Sequence, residues 1–341
     1  MAADADILGV DIGQVDIAVL GTGAWGAALA IAEAAAGRRV LLWARRPERA
    51  AEIARTRSLA PYLPAAIRLP ETVRVTADLA RCRAAPVVLA VTPAQALRAV
   101  LDELKPTGRL VLCCKGIERG TGALTPEVAA AAAPGAEAYL LSGPNFANEV
   151  AAGLPAAATL AGPDLDRAAA LAGELATHGL RLYPSADRAG AALGGALKNV
   201  IAIAAGAVEG AGLGENARAA IATRGLAEVA RIAVAVGAER ETLMGLAGVG
   251  DLMLTCSGRQ SRNYSLGVAL GAGELLEDIL AARHSIPEGA PTAAAARALA
   301  DRLGVDAPIV RAVDDVTAGR LDIAGAIRGL MARPPKPDER V

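Results

Sequence analysis

"VDIAVLGTGAWGAALAIAEAAAGRRVLLWARRPE", residues 15–48, decides how the first half of the chain is built. A short apolar run enters a glycine-rich turn, a small-residue helix follows, Gly37 stops it, and a second apolar run begins. The spacing predicts a strand over 16–20, a helix over 25–36 and a strand over 39–43, the βαβ order of a parallel sheet. The turn itself, "GTGAWG" (21–26), fits G-x-G-x-x-G between strand and helix. Gly21 permits the sharp turn, Gly23 lets a pyrophosphate approach the backbone, and Gly26 lets the helix pack on the strand. Ala24 and Trp25 open the helix, whose N-terminus offers amide donors and positive potential. A bare match also describes an ordinary glycine-rich turn; in register with both strands it points to a dinucleotide.

At the end of the second strand, where an NAD-selective fold places Asp or Glu on the ribose, stand Arg45 and Arg46. A guanidinium can take a 2′-phosphate in a bidentate grip, so NADP(H) should be accepted at least as well as NAD(H). The same pair can also be read as two solvated arginines in an arginine-rich chain.

Further apolar runs follow at "VRVT" (73–76), "PVVLAV" (86–91), "RLVLCC" (109–114), "AYLLSG" (138–143) and "GLRLYPS" (179–185), alternating with helical segments such as "PAQALRAVLDEL" (93–104). Residues 15–187 therefore read as α/β, a doubly wound Rossmann-type parallel sheet. After residue 187 the β-branched runs stop. Ala, Leu and Gly helices are expected over about 187–209, 215–236, 239–246, 262–270, 273–282 and 290–303, giving an all-helical C-terminal domain over 188–331. With no low-complexity linker, the boundary should be tight. Residues 1–14 and 332–341 carry no apolar pattern and read as flexible tails.

Composition narrows the function classes. Of the 341 residues 53% are hydrophobic, but that fraction is largely alanine, with one Phe, two Trp and four Tyr, which excludes aromatic platforms for single-stranded nucleic acid. A net charge of −1, with both signs interspersed, argues against a nucleic-acid or membrane footprint and for a small-molecule substrate. Four cysteines without a C-x-x-C pair imply no metal site and a reduced, cytoplasmic setting, and no secretory leader precedes the first strand. The most apolar stretch, 189–208, is interrupted by Lys198 and several glycines, so no membrane span is expected.

Only four of the 35 Lys and Arg residues are lysine. Lys105 precedes a proline in a turn and Lys336 lies in the tail. Lys198 is the sole charge between Arg188 and Glu209, and Lys115 follows an apolar strand. Arginine keeps its proton near neutrality, whereas a desolvated ammonium beside other cations can lose it, so a lysine retained here is a candidate proton donor and acceptor. A snorkelling lysine covering apolar surface is the alternative. Downstream, "GLAGVGDLMLTCSGRQSRNYSLG" (245–267) brings three glycines to Asp251 and then sets Ser261, Arg262 and Asn263 at a helix start, a grip suited to a phosphate monoester. Taken singly, these also read as a turn aspartate and a helix cap.

Jointly, "GTGAWGAALA", "LLWARRPE", "CCKGIE", "LSGPNFANEVA", "LGGALKNVIAIAAG", "ATRGLAE", "GLAGVGDLMLTCSGRQSRN" and "IPEGAPTA", in this order from about residue 16 to 331, resemble the bacterial-type NAD(P)-dependent glycerol-3-phosphate dehydrogenases. The resemblance implies reversible hydride transfer between NAD(P)H and dihydroxyacetone phosphate, giving sn-glycerol 3-phosphate for glycerophospholipid synthesis. It places Gly21, Gly23, Trp25 and Gly26 on the pyrophosphate and Arg45 and Arg46 on the adenosine ribose. Lys115 falls between cofactor and substrate, and Gly143 and Ala147 beside the nicotinamide and triose. Lys198 becomes the proton acceptor in oxidation, paired with Asp251. Ser261, Arg262 and Asn263 take the phosphate, and Ile286 and Glu288 close over the cofactor. Asn145 departs from the Ser or Thr usual in the family, and substrate contact is expected to survive there. Two rivals remain: another lysine-acid dehydrogenase of the 3-hydroxy acid or ketopantoate type, and a non-catalytic NADP(H)-binding protein on the same fold. The small-residue helices could pack within one chain or join two as a homodimer.

Overall fold

β1 (Ile17–Leu20) and β2 (Val40–Trp43) are four-residue strands buried along their whole length, with α1 (Ala24–Ala35) crossing between them. Strands covered by helices on both faces lose the alternation of a half-exposed sheet and become continuous apolar runs, which is how both appear in the sequence. The computed structural model describes residues 15–258, 260–282 and 287–334. The expected flexible tails therefore lie, apart from residues 332–334, outside the described residues. With β3 (Arg74–Thr76), β4 (Val87–Ala90), β5 (Arg109–Leu112), β6 (Glu137–Ser142), β7 (Ala156–Ala161) and β8 (Leu180–Ser185), the strands form one sheet in the order β3-β2-β1-β4-β5-β6-β7-β8. Leu20 sits beside Trp43 on one side and Ala90 on the other. α3 (Leu97–Leu104), α4 (Thr125–Ala132) and α6 (Leu165–Leu175) are further helices of this half, and strand order reverses between β1 and β4, the switch point at which doubly wound sheets bind ligands.

The sheet is not wholly parallel. β7 pairs antiparallel with β6 and parallel with β8. Its sequence, "AAATLA", has little intrinsic preference for a strand and gives no β signal; complete burial of Ala158, Leu160 and Ala161 overrides that preference. The reversal positions the site. Because β8 runs against β1–β6, its carboxyl end lies level with their amino ends, where Arg188 Nη1 donates to Ala138 O at 3.2 Å. α7 (Arg188–Gly210) starts there and climbs beside β6, carrying Lys198 about 15 Å up to the carboxyl ends of the parallel strands.

Asp187 makes the joint between halves. One carboxylate oxygen accepts the Gly190 amide at 2.7 Å and caps α7, while the other accepts the Glu239 amide at 2.9 Å. Leu112 and Leu140 of the sheet share one buried cluster with Leu193, Leu197 and Ile201 of α7. α7 is long and apolar enough to cross a membrane, yet 89% of its most apolar window is buried inside the protein, so it is a core helix. α8 (Gly214–Ala235) and α11 (Arg262–Gly271) pack along it. A Cβ on Gly206 would lie 2.1 Å from Tyr264 O, and one on Gly267 2.0 Å from Ile203 O, so α7 and α11 meet backbone to backbone.

The helix expected over 239–246 is interrupted. α9 (Arg240–Met244) ends early, a π-turn spans Leu246–Gly250, and α10 (Asp251–Cys256) begins at the aspartate. α12 (Leu276–Ala281) is shorter than expected, α13 (Gly289–Arg302) is as expected, and α14 (Pro308–Thr317) and α15 (Ile323–Met331) lie beyond the predicted helices. α14 is fixed from outside: the Glu228 carboxylate of α8 accepts the amides of Ile309 and Val310.

Candidate active site

The glycine-rich turn is held by close backbone contacts. Gly21 adopts φ +127°, and a Cβ there would meet Val91 O at 2.9 Å, so the chain leaving β4 passes directly beside the turn. A Cβ on Gly26 would lie 2.0 Å from Gly21 O, which fixes helix against strand. One on Gly23 would meet no protein atom within 4 Å, so that backbone faces outward at the start of the 12-residue α1. α5 (Ala147–Ala151) packs on α1, bringing Ala147 and Trp25 into one small apolar cluster. Arg45 and Arg46 follow β2 as exposed side chains, and neither is hydrogen-bonded or ion-paired within the described residues. Arg46 precedes α2 (Pro47–Thr56).

Lys198 and Lys115 converge on one carboxylate. Asp251 has no solvent exposure; its Oδ1 accepts Lys198 Nζ and its Oδ2 accepts Lys115 Nζ at 2.6 Å. Lys115 Nζ also donates to Gly143 O at 3.3 Å. Lys198 is 9% exposed and donates to Thr255 Oγ1 at 2.9 Å, while the Thr255 hydroxyl donates to Asp251 O at 2.6 Å. Burial drives the Lys198 pKa from 10.5 to about 8; the Asp251 carboxylate opposes that fall and the Lys115 ammonium adds to it. The glycines beside Lys198 allow this convergence. A Cβ on Gly194 would collide with Ala247 O of the π-turn at 2.3 Å, and one on Gly195 with Ser142 Oγ at 2.7 Å, in reach of the Lys115 stem.

The SRN segment lies next in this wall. Ser261 caps α11 by accepting the Tyr264 amide at 3.2 Å, and Asn263 Oδ1 accepts the Gly289 amide at 2.9 Å, tying α11 to α13. Arg262 is exposed at the helix start. Glu288 precedes α13; burial raises its pKa, opposed by Arg262, the Ala94 amide, Lys115 and Lys198, so it shares the field of both lysines. Ile286 lies outside the described residues. Asn145 turns its amide toward β7, where Nδ2 donates to Ala157 O at 3.2 Å.

Nothing in the sequence marks Thr255 as a site residue. Its signal was the Asp251-to-Thr255 spacing of four, one helical turn, but threonine is too common in helices to mark itself. Thr92 Oγ1, Ser142 Oγ and Asn145 Oδ1 are buried without a partner among the described residues, all at or just past the carboxyl ends of β4 and β6. Buried polar atoms are seldom left so, and here they border the glycine turn and the lysines, which fits a polar ligand in this crevice.

Comparison with known proteins agrees with this geometry. The profile of the NAD-dependent glycerol-3-phosphate dehydrogenase N-terminus matches residues 16–168, and that of its C-terminus matches residues 187–328. The chain is 52% identical over 323 residues to a protein of Rhodospirillum rubrum named glycerol-3-phosphate dehydrogenase [NAD(P)+], covering 93% of this chain and 92% of the relative. It is 50% identical over 326 residues to one of the same name from Caulobacter vibrioides, covering 94% and 98%. A crystal structure of glycerol-3-phosphate dehydrogenase from Coxiella burnetii superposes with a TM-score of 0.89 at 35% identity, over 94% of this chain and all of that one. A ketopantoate reductase from Ralstonia eutropha, at 16% identity and a TM-score of 0.58 over 89% of this chain and 97% of that one, shares the fold alone. Profiles matched across both halves, on a fold that brings the two lysines and the aspartate together, show that the chain belongs to the NAD-dependent glycerol-3-phosphate dehydrogenase family.

Proposed function

We propose that the protein reversibly reduces dihydroxyacetone phosphate with NAD(P)H to sn-glycerol 3-phosphate, in the cytoplasm and for glycerophospholipid synthesis. The observation that carries this reading is Lys198: a buried ammonium caged by Asp251 and Thr255 at the carboxyl ends of the parallel strands, with a pKa of about 8. The family match and the named relatives support the substrate pair. Four free, buried cysteines suit a reducing compartment. The reading divides the chain into a dinucleotide domain over 15–187 and a substrate domain over 188–331.

Gly21, Gly23, Ala24, Trp25 and Gly26 hold the pyrophosphate in this reading, with Arg45 and Arg46 on the adenosine ribose and Ala147 and Glu288 beside the rest of the cofactor. When bound, NAD(P)H supplies the hydride. As negative charge grows on the ketone oxygen, Lys198 donates its proton there and Lys115 stabilises the charge; Asp251 holds both ammonium groups in place. Ser261, Arg262 and Asn263 take the phosphate, and Gly143 and Asn145 border the triose. Phosphate binding away from the reacting carbon aligns the ketone, so unphosphorylated dihydroxyacetone should lose turnover as well as affinity.

Lys198→Arg tests the proposal, since it keeps the charge and removes proton transfer near neutrality. Turnover should fall by roughly two to four orders of magnitude while NADPH binding, read by fluorescence, stays unchanged. Near-normal turnover would remove Lys198 from the proton-transfer role.

A further inference from the structure

Lys198 depends on α10 for both of its hydrogen-bond partners among the described residues, and α10 is only six residues long. At its amino end the π-turn locks it against Gly194 of α7. Its carboxyl end has another support: Arg218 of α8 donates from Nη1 to Cys256 O, the last carbonyl of the helix, at 3.0 Å, and from Nη2 to the Glu215 carboxylate. The same guanidinium bears on the hydroxyl of Tyr264, which is fully buried and donates to Glu209 Oε2 at 2.5 Å. Glu209 lies three turns along α7 from Lys198. One polar cluster thus joins α7, α8, α10 and α11, anchoring α10 to the glycine seam between α7 and α11.

We propose that Arg218 is a positioning residue for proton transfer: by holding the carboxyl end of α10 against the α7–α11 seam, it keeps Asp251 and Thr255 on Lys198. This rests on the role given to Lys198 above. Among the described residues, the charged and titratable groups facing Lys198 are Asp251 and Cys256 from α10, Lys115 from the segment after β5 and Glu288 ahead of α13. Arg218 is not among them, so it acts through the position of Asp251. With α10 loosened, the carboxylate withdraws while burial and Lys115 remain, and both of these favour the neutral amine.

Arg218→Met and Arg218→Lys, compared with the wild type, test this. For Arg218→Met, kcat for dihydroxyacetone phosphate reduction should fall about tenfold or more. The alkaline limb of its pH profile should also move down by at least about half a unit. NADPH affinity should stay within about twofold of the wild type, because the glycine turn is untouched. Arg218→Lys, which can still donate to Cys256 O, should recover most of the rate and the wild-type limb. Tyr264→Phe, which keeps the packing and removes one member of the cluster, should move the limb the same way by less and serves if Arg218→Met does not fold. An unmoved limb in the Met and Phe variants, whatever the rate, or a Lys variant as impaired as Met, would overturn the proposal. Lys198→Arg separates the two claims: if it abolishes turnover while Arg218→Met leaves the limb in place, only the Arg218 role fails.

Discussion

At the scale of single residues, the role proposed for Lys198 fixes the expected pH response. In that role ketone reduction would consume the ammonium form, so its rate should be level below about pH 8 and fall above it, whereas oxidation would need the neutral amine and should rise through the same pH. Initial rates in both directions between pH 6.5 and 9.5 would check the opposed limbs; two limbs of the same sign would contradict the assignment. Asp251→Asn removes the group that holds this pKa up and leaves burial and Lys115, which lower it. Its reduction limb should move below pH 8, with kcat lower by at least roughly a hundredfold. Lys198, Lys115 and Asp251 were legible because a lysine kept in an arginine-rich chain is itself a chemical signal. Their meeting is not legible in the residues themselves, since Asp251 lies 53 positions from Lys198 and 136 from Lys115; the family resemblance pairs Asp251 with Lys198 but does not give it to Lys115 as well.

At the scale of elements, close backbone contacts do the positioning. A methyl group on Gly26 must push α1 off the turn, 2.0 Å from Gly21 O, so Gly26→Ala should weaken NADPH binding at least about tenfold. Gly206→Ala drives a methyl group to within 2.1 Å of Tyr264 O in the α7–α11 seam and should cost about 1–3 kcal/mol or more, measured by urea unfolding. Equal stability to wild type would show that the two helices do not meet as described. The strands of 15–48 and the long helices were readable from their periods. The alanine strand β7 and the π-turn before Asp251 were not, because each is imposed by neighbours against weak local preference.

For the whole molecule, two buried carboxyls tie folding to pH. Burial pushes Glu33 and Glu228 up to about 7 from the usual 4.5; Arg38 opposes this at Glu33, and the Ile309 and Val310 amides oppose it at Glu228. Between about pH 4.5 and 7 the folded chain therefore keeps protons that the unfolded chain has released. These groups make stability fall as pH rises through that window, by roughly 1.4 kcal/mol per pH unit for each. Glu228→Gln removes one of them, so the stability of the variant relative to wild type should climb from pH 5 to 7 in urea titrations; a constant difference would show that the carboxyl is ionised throughout. Asp187→Ala unties α7 and the Glu239 amide together and should cost at least about 1–2 kcal/mol.

The βαβ start, the glycine turn, the change from strands to helices near residue 187 and the identity of the ionisable groups can all be read along the chain. Each of these is written locally, in the spacing of apolar residues, in turn chemistry or in the choice of lysine over arginine. Two outcomes emerge only when the chain packs: β7 reverses, so that α7 lifts Lys198 to the carboxyl ends of the parallel strands, and one buried aspartate serves both lysines. Those outcomes depend on strand pairing and side-chain contact between distant positions, where the burial available to the folded chain, and no local preference, selects the arrangement.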